Sequence, residues 1–459
     1  MGTKGRMCLR SSSRLYMAAL LLTLLVAIAL ICILGTWLRK VRGLRDRPPL
    51  PPGPPPLPIV GNAFSVPTTK MAQAFRKMNQ QYGDVVYLEA FGQPIVLLGT
   101  HEAAVDLLEK RSAKYSDRPR STMADLTGWD WALPIMAYGP WWRRNRRAFH
   151  EFFNQAAIAK YRPIQLDVAH RFLLRLLKDP QNLSDHVRYA FGAGIVRIAY
   201  GIDIDKEDIP YLEIATETMA TFGKIFVPGK WLVETFPILR FLPSWLPGAH
   251  FKRQAQAWYP VVQRLRDVPY NAVLKFMREG TAPPSILNAL LERTSALEGD
   301  ASALAEELQI AKDIPATAYG GGSDTIYTTT VTLFLAMASY PDVQKRAQAE
   351  LDAVVGPDRL PTFEDQPNLP YIAAIIKECT RWRVVLPLGL VHQSTEDDVY
   401  RGYSIPKGTH VIPNAWSYTR DTRHYPDPEE FRPERYLKDG KLDPTVLDPG
   451  DIIFGYGRR

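Results

Sequence analysis

Cysteine is almost missing from this chain. There are three in 459 residues, Cys8, Cys32 and Cys379, and no CxxC pair. That excludes a disulfide framework and a zinc ribbon, and it fits a body kept in a reducing compartment. No internal repeat is visible. A basic body is missing too, despite a formal charge of +8. Of 56 basic and 48 acidic residues, nine and one lie in residues 1–47, leaving 47 of each sign in the remainder. A neutral body carries no nucleic-acid footprint. The excess charge flanks one apolar run, where it suits anionic lipid.

That run is Leu15 to Leu38, 24 residues without a charge. As a helix it is roughly 36 Å long at about 1.5 Å per residue, enough to span a bilayer. A cleaved signal is the rival reading, but its apolar core is only about 7–15 residues. Basic residues on both sides leave orientation to a small excess after the run, which favours a cytoplasmic body. The sequon Asn182-Leu183-Ser184 would then be unused.

Residues 48–58 are mostly proline and favour extended polyproline II, a stiff spacer or a docking site for proline-recognising domains. Val85–Leu88 and Pro94–Leu98 read as strands around Gly92. Most of residues 100–360 read as helix with Pro/Gly breaks. Phe226–Trp245 is rich in aromatics and prolines and reads as core, or as a loop packed on core. Val399–Pro406 and His410–Ile412 read as short strands with Gly/Pro turns. The class is α+β, mainly helical.

Five patterns carry candidate chemistry. Tyr371 to Trp382 reads as a helix with an apolar stripe at Ile372, Ile375, Ile376, Cys379 and Trp382. On it, Glu378 and Arg381 are three apart; exposed, such a pair is worth only about 0–1 kcal/mol. Phe431-Arg432-Pro433-Glu434-Arg435-Tyr436 follows some fifty residues on. Gly320-Gly321-Gly322-Ser323-Asp324-Thr325 puts three glycines in a helix, at about 1 kcal/mol each relative to Ala. Close approach of a flat cofactor or a local opening would account for them. A phosphate loop would need a following Gly-Lys, which is missing. Pro315 upstream is expected to kink this helix or move its start. Trp141 to Arg147 reads alone as a solvated basic face. His392 reads alone as a structural histidine. The last six residues are Phe454-Gly455-Tyr456-Gly457-Arg458-Arg459.

Taken together, in this order and spacing, these motifs resemble those of cytochromes P450. The resemblance covers residues 15–459, and details such as the Pro-Pro-Gly-Pro-Pro-Pro-Leu-Pro run are most similar to membrane-bound enzymes of fungal secondary metabolism. It implies a P450 fold behind one transmembrane helix. The parts would be a basic tail at 1–14, an anchor at 15–38, a basic and proline-rich hinge at 39–60, and a catalytic domain at 61–459.

The resemblance also implies roles. Heme b would be the cofactor, with Trp142, Arg146, His392 and Arg459 at its propionates and Gly321 and Gly322 at its face. Asp324 and Thr325 would carry the proton relay. Tyr456 and Arg458 would be variable positions. Glu378, Arg381 and Arg435 would form a buried network, with Tyr436 where the family has Phe. Arg143, Arg144 and Arg147 would face an acidic redox partner, the NADPH–cytochrome P450 reductase, or solvent. Other partners would be membrane lipid and a small apolar substrate of terpenoid, polyketide or indole type. Phe226–Trp245 would lie where substrate enters from the membrane, and specificity would also sit in Arg118–Met136. The location implied is the endoplasmic reticulum membrane, single-pass, with a cytoplasmic catalytic domain. In the family's terminal pattern the iron-ligating cysteine falls two residues past Arg459, so no metal ligand is expected within the chain, and Cys379 in the core helix is a poor substitute. Without that cysteine and the helix and strands after it, the 459 residues are expected to be inactive. A second reading therefore stands beside the monooxygenase: a non-catalytic remnant or binding protein.

Overall fold

The computed structural model describes residues 48–459 except residues 228, 298 and 299. The expected anchor at Leu15–Leu38 lies outside the described residues; among these, no helix is long and apolar enough to cross a membrane. The chain divides into two units. The described part of the smaller one is residues 48–51 and Asp397–Lys407.

The larger unit covers Pro52–Glu396 and Gly408–Arg459. Its elements in chain order begin with α1 (Met71–Tyr82), β1 (Val85–Ala90), β2 (Gln93–Leu98), α2 (Pro140–Phe153), α3 (Arg162–Lys178) and α4 (Leu183–Tyr200). Then come α5 (Tyr211–Ile225), α6 (His250–Arg278), α7 (Ala301–Ser339), α8 (Pro341–Val355), α9 (Pro370–Trp382) and β3 (His392–Gln393). The smaller unit contributes β4 (Asp398–Tyr400) and β5 (Tyr403–Ile405), and β6 (His410–Pro413) returns to the larger. β4 and β5 pair antiparallel across Arg401-Gly402, both at positive φ, the two-residue turn whose twist matches the strands. Ser404 N donates to Pro49 O at 2.8 Å within the same unit.

One four-stranded sheet runs β1-β2-β6-β3. β1 and β2 pair antiparallel with Val85 opposite Leu98. β6 joins β2 in parallel, Val96 opposite Val411, and β3 closes on β6 with His392 opposite Val411. The later part of the proline-rich run is no free spacer: Tyr87 N donates to Pro52 O at 2.9 Å.

The main core lies among α4, α5, α6 and α7. α7 starts on Asp300, whose carboxylate accepts from Ser302 N and Ala303 N. It runs 39 residues without a break through Pro315, so the expected shift of its start does not occur. A proline ring forfeits one backbone donor, and here the residue is buried in the core, where packing of the surrounding helix face compensates. α4 lies antiparallel beside it. Ser184 meets Tyr327 at 2.7 Å, and Tyr200 meets Tyr319 edge to face.

α9 carries the charged centre of a second core. Its apolar stripe buries Ile375, Cys379 and Trp382, but Ile376 is exposed. Only Trp231 of the five aromatics between residues 226 and 245 is core; Phe226, Phe236, Phe241 and Trp245 are exposed, against expectation. Glu378 and Arg381 are fully buried and doubly bonded, Nε to Oε2 and one terminal nitrogen to Oε1, both at 2.7 Å. Arg435 Nε reaches the same carboxylate at 3.2 Å, and Arg432 N at 2.8 Å. Arg381 also donates to the carbonyls of Thr419, Pro428 and Glu430. One residue of a single helix thus pins the whole 419–435 segment.

Removing one partner of a buried charge network typically costs about 3–5 kcal/mol. Glu378→Ala leaves two guanidiniums without their counter-charge and is expected to lose stability in that range, read as a lower urea midpoint. A loss below about 1 kcal/mol, the range of an exposed pair, would contradict a structural role.

Candidate functional site

α2 begins with Pro140, whose fixed φ suits the first helical position. Three or four residues apart on a helix share a face. Trp142, Arg146 and Phe149 therefore line up, and all three border a cavity of about 290 Å³. Thr317 of α7, His392 of β3, Pro413 of β6 and the terminal loop from Ile452 to Arg459 complete its wall, with Arg118, Leu133 and Leu390. On the far side of α2, Arg143 and Arg147 are exposed. Arg144 is not free for a partner: it pairs with Glu306 and with Glu307 at 2.6 Å. Arg143 stacks on the Tyr138 ring.

One wall of the cavity is a cluster of basic side chains, Arg118 and His392 buried and Arg459 half-buried. Arg118 donates to the carbonyls of Leu390 at 2.7 Å, Val391 at 2.9 Å and Pro134 at 3.1 Å. Burial, then the neighbouring Arg459, pulls it down to about 9. Arg459 donates to Ser116 O at 2.6 Å and Met136 O at 2.7 Å and lies over the Trp142 ring. Burial lowers it to about 10. The His392 ring meets Tyr115 O through Nδ1 at 2.7 Å, so Nδ1 carries the hydrogen. Burial, then Arg118, lowers His392 to about 3.

The terminal loop folds back because of its glycines. Gly457 sits at φ +68°, and a Cβ there would lie 2.4 Å from Leu108 O. Tyr456 is not a free position: it is buried, its hydroxyl 3.2 Å from His101 Nδ1. Arg458 bonds the Tyr138 hydroxyl.

Trp142, Arg146, His392 and Arg459 share the cavity wall. Gly321, Gly322, Asp324 and Thr325 do not line it; they lie one to two turns further along α7. Thr325 is exposed and its hydroxyl donates to Gly321 O at 2.8 Å. Asp324 lies 3.7 Å from Arg188. Gly322 turns away from the expected cofactor face: a Cβ there would press on Ile195 of α4 at 3.0 Å, so its bareness serves helix packing. Gly321 faces open space, with nothing within 4 Å of an added Cβ. Thr317, Gly321 and Thr325 form one i, i+4 row along α7. Glu378, Arg381 and Arg435 hold the network described above and do not line this cavity. Cys379 is buried and its thiol is pushed up to about 12 by burial, then by Glu378. Among the described residues, no His/Cys/Asp/Glu cluster could hold a metal ion.

The sequence model of the family described as "Cytochrome P450" matches residues 51–459. The chain is 43% identical over 414 residues to cytochrome P450 monooxygenase COX2 of Coprinopsis cinerea, covering 89% of this chain and 78% of that one. It is 40% identical over 448 residues to tryptamine 4-monooxygenase of Psilocybe cyanescens, covering 96% and 86%. With cytochrome P450 monooxygenase claR of Ampulloclitocybe clavipes it shares 41% over 414 residues, covering 89% and 75%.

The chain is a cytochrome P450. The family's cofactor is haem, and the donor set of this P450 fits it. Buried Arg118 and half-buried Arg459, with Arg146 beside them, favour an anionic ligand. Leu133, Phe149, Leu390 and Ile452 supply apolar contact for a flat ring. Arg118 was missed as a cofactor-wall residue by sequence reasoning. It is one arginine in a loop, and no spacing rule marks it.

His392 stays neutral in the folded P450 down to about pH 3, while an unfolded histidine titrates near 6.5. The unfolded chain therefore binds more protons between those values. Stability falls as pH drops through that window, by up to about 1.4 kcal/mol per pH unit for this group. His410, lowered to about 4 by burial, adds to the slope. Urea unfolding from pH 7 to 5 is expected to show a shallower slope in His392→Gln than in the parent; an unchanged slope would remove His392 from the linkage.

Proposed function

We propose that this P450 is a haem-dependent monooxygenase of a fungal secondary-metabolite pathway. It oxidises a small apolar substrate of terpenoid, polyketide or indole type, with dioxygen and NADPH-derived electrons passed on by a reductase. The observation that carries this reading is the buried basic wall facing an apolar cavity. Its relatives are fungal monooxygenases, one of them named for tryptamine.

In this reading Arg118, Arg146, Arg459 and Trp142 would hold the two carboxylates of the cofactor. A carboxylate beside His392 raises its proton affinity, so Nε2 would gain a proton and donate. Bound haem would supply the oxygen activation and C–H oxidation. The chain's own residues orient the substrate and handle protons. Thr325 Oγ1, bonded at rest to Gly321 O two helical turns beyond the cavity-lining Thr317, would hand on a proton. Asp324, half-exposed beside Arg188, can collect one from solvent. Cys379 is unsuited as iron ligand, because a protonated thiol locked in the α9 core cannot present a thiolate. The terminal loop pattern puts that cysteine two residues past Arg459.

Membrane attachment belongs to the same proposal: an anchored protein of the endoplasmic reticulum with its catalytic domain cytoplasmic. Ile238, Phe241 and Trp245 are more than 70% exposed within one short stretch, which suits contact with lipid.

The test is haem binding in two forms. Haemin titration read by tryptophan fluorescence is expected to weaken about tenfold or more in Arg118→Leu and in Arg459→Leu, because each loses a charge-assisted hydrogen bond. Protein carried through the loop cysteine, in microsomes with haem, is expected to give the red-shifted Soret band of a thiolate-ligated CO complex. Wild-type affinity in both variants, or no such band, would overturn the reading.

A further inference from the structure

Between Thr100 and Ser116 the chain is one interrupted helix. His101–Ala104 and Ser112–Tyr115 are ordinary α turns. Val105–Lys110 between them is a π turn, whose backbone bonds reach five residues along instead of four. Such turns are rare and concentrate at functional sites. The residues themselves do not ask for one. Val105-Asp106-Leu107-Leu108-Glu109-Lys110 holds neither proline nor glycine. Asp106 and Lys110 pair at 2.8 Å, at a spacing that supports an α turn. The cause therefore lies in what the turn packs against.

Its neighbour is the terminal loop, and the two segments touch at three points in the same order along both. His101 Nδ1 lies 3.2 Å from the Tyr456 hydroxyl. Leu108 O occupies the space that a Cβ at Gly457 would need. Ser116 O accepts from Arg459 Nε at 2.6 Å. Tyr115 O, beside it, meets the His392 ring at 2.7 Å. One segment thus backs both Arg459 and His392 of the cavity wall. Residues 454–459 have no helix or strand of their own, so these contacts decide where the loop sits. In an α-helix each residue turns the chain by about 100° and advances it by about 1.5 Å. A π turn takes up one extra residue locally, and the turns on either side keep their phase.

We propose that the π turn Val105–Lys110 is a positioning element of the cofactor site. It presents Leu108 O as the seat on which Gly457 rests, and so fixes where Arg459 enters the cavity wall. The seat stands on the contacts above; that the wall holds a cofactor rests on the monooxygenase reading. Gly457 is then required twice, once for its positive φ and once because a backbone oxygen fills the place of a side chain.

Deleting the exposed Glu109 shortens the π turn to an α turn and leaves the flanking turns in phase. Hydrogen exchange of the full chain, read by mass spectrometry, is expected to be about tenfold faster at residues 454–459 in this deletion, with α9 within about twofold of the parent. Unchanged exchange at 454–459 would overturn the seat. Gly457→Ala supplies a second readout. Its φ strain is common to both backgrounds, but the clash with Leu108 O exists only with the π turn. The substitution is expected to weaken haemin binding about fivefold more in the parent than in the deletion; equal losses would separate Gly457 from the turn and also overturn the proposal. If the deletion unfolds the whole chain, α9 exchanges as fast as the loop, and Lys110→Ala decides. That variant loses only the pair spanning the turn, and is expected to speed exchange at 454–459 alone by about threefold; no change there would count against the seat. If haemin does not bind the parent, the monooxygenase reading falls, and the exchange result still decides the seat.

Discussion

The carboxylate of Glu378 is the interaction on which the rest of this structure depends. It stands in the dry interior with two guanidiniums, Arg381 and Arg435, and a backbone donor from Arg432. Two positive charges against one would be costly there, but Arg381 spends its other hydrogens on three carbonyls of the 419–435 segment. The network is therefore less an ion pair than a clamp on irregular backbone. Apart from a 3-10 turn that begins at Pro433, that backbone has no helix or sheet ladder of its own to fix it. Trp382 adds a bond from its indole to Glu429 O at 2.9 Å. The chain leaving this segment forms the terminal loop that brings Arg459 to the cavity, so the clamp is where site geometry begins.

The cavity wall uses the opposite strategy. Glu378 neutralises part of its own network, whereas buried Arg118 and half-buried Arg459 are held by carbonyl partners; desolvation weakens both bases, and Arg459 weakens Arg118 further, against the pull of Asp117. A fold that buries unpaired positive charge loses stability unless an anion joins it. Cofactor binding and folding are then linked: a ligand that binds only the folded chain stabilises it by mass action. His392 belongs to the same economy. It is held neutral until a carboxylate arrives to favour its proton.

Much of the fold could be read in advance, because strands alternate, turns carry glycine at positive φ, and helices show their apolar spacing. β1, β2, β6 and α9 fall where pattern puts them. Trp142 and Arg146 could be paired because four residues make one helical turn. The remaining features depend on contacts between distant segments. Ile376 fits the α9 stripe in sequence, yet no neighbour covers it. Gly322 is adjacent to Gly321, but one turns to Ile195 and the other to open space. Arg118 reaches the cavity wall only because Leu390 and Val391, some 270 residues away, place their carbonyls around it. Tyr456 is buried because His101 stands opposite, which no local pattern encodes. Pro315 does not delay the start of α7 for the converse reason: its rule is local, and a 39-residue helix fixed by packing carries it.

α7 shows why a single helix can serve packing and chemistry without conflict. Its turn of 3.6 residues separates adjacent positions by about 100°. Gly322 falls on the side of α4, where a missing side chain lets the helices close; Asp324, about 160° round the helix from it, lies 3.7 Å from Arg188. Thr317, Gly321 and Thr325 form one i, i+4 row, of which Thr317 borders the cavity and Gly321 faces open space. The three consecutive glycines meet different surroundings: an added Cβ would touch Leu265 and Met219 at Gly320, press on Ile195 at Gly322 and find open space at Gly321. A lone glycine could satisfy only one of them. The local helix propensity given up at 320–322 is thus recovered on two faces, and the length of α7 on either side holds the weakened turn in register.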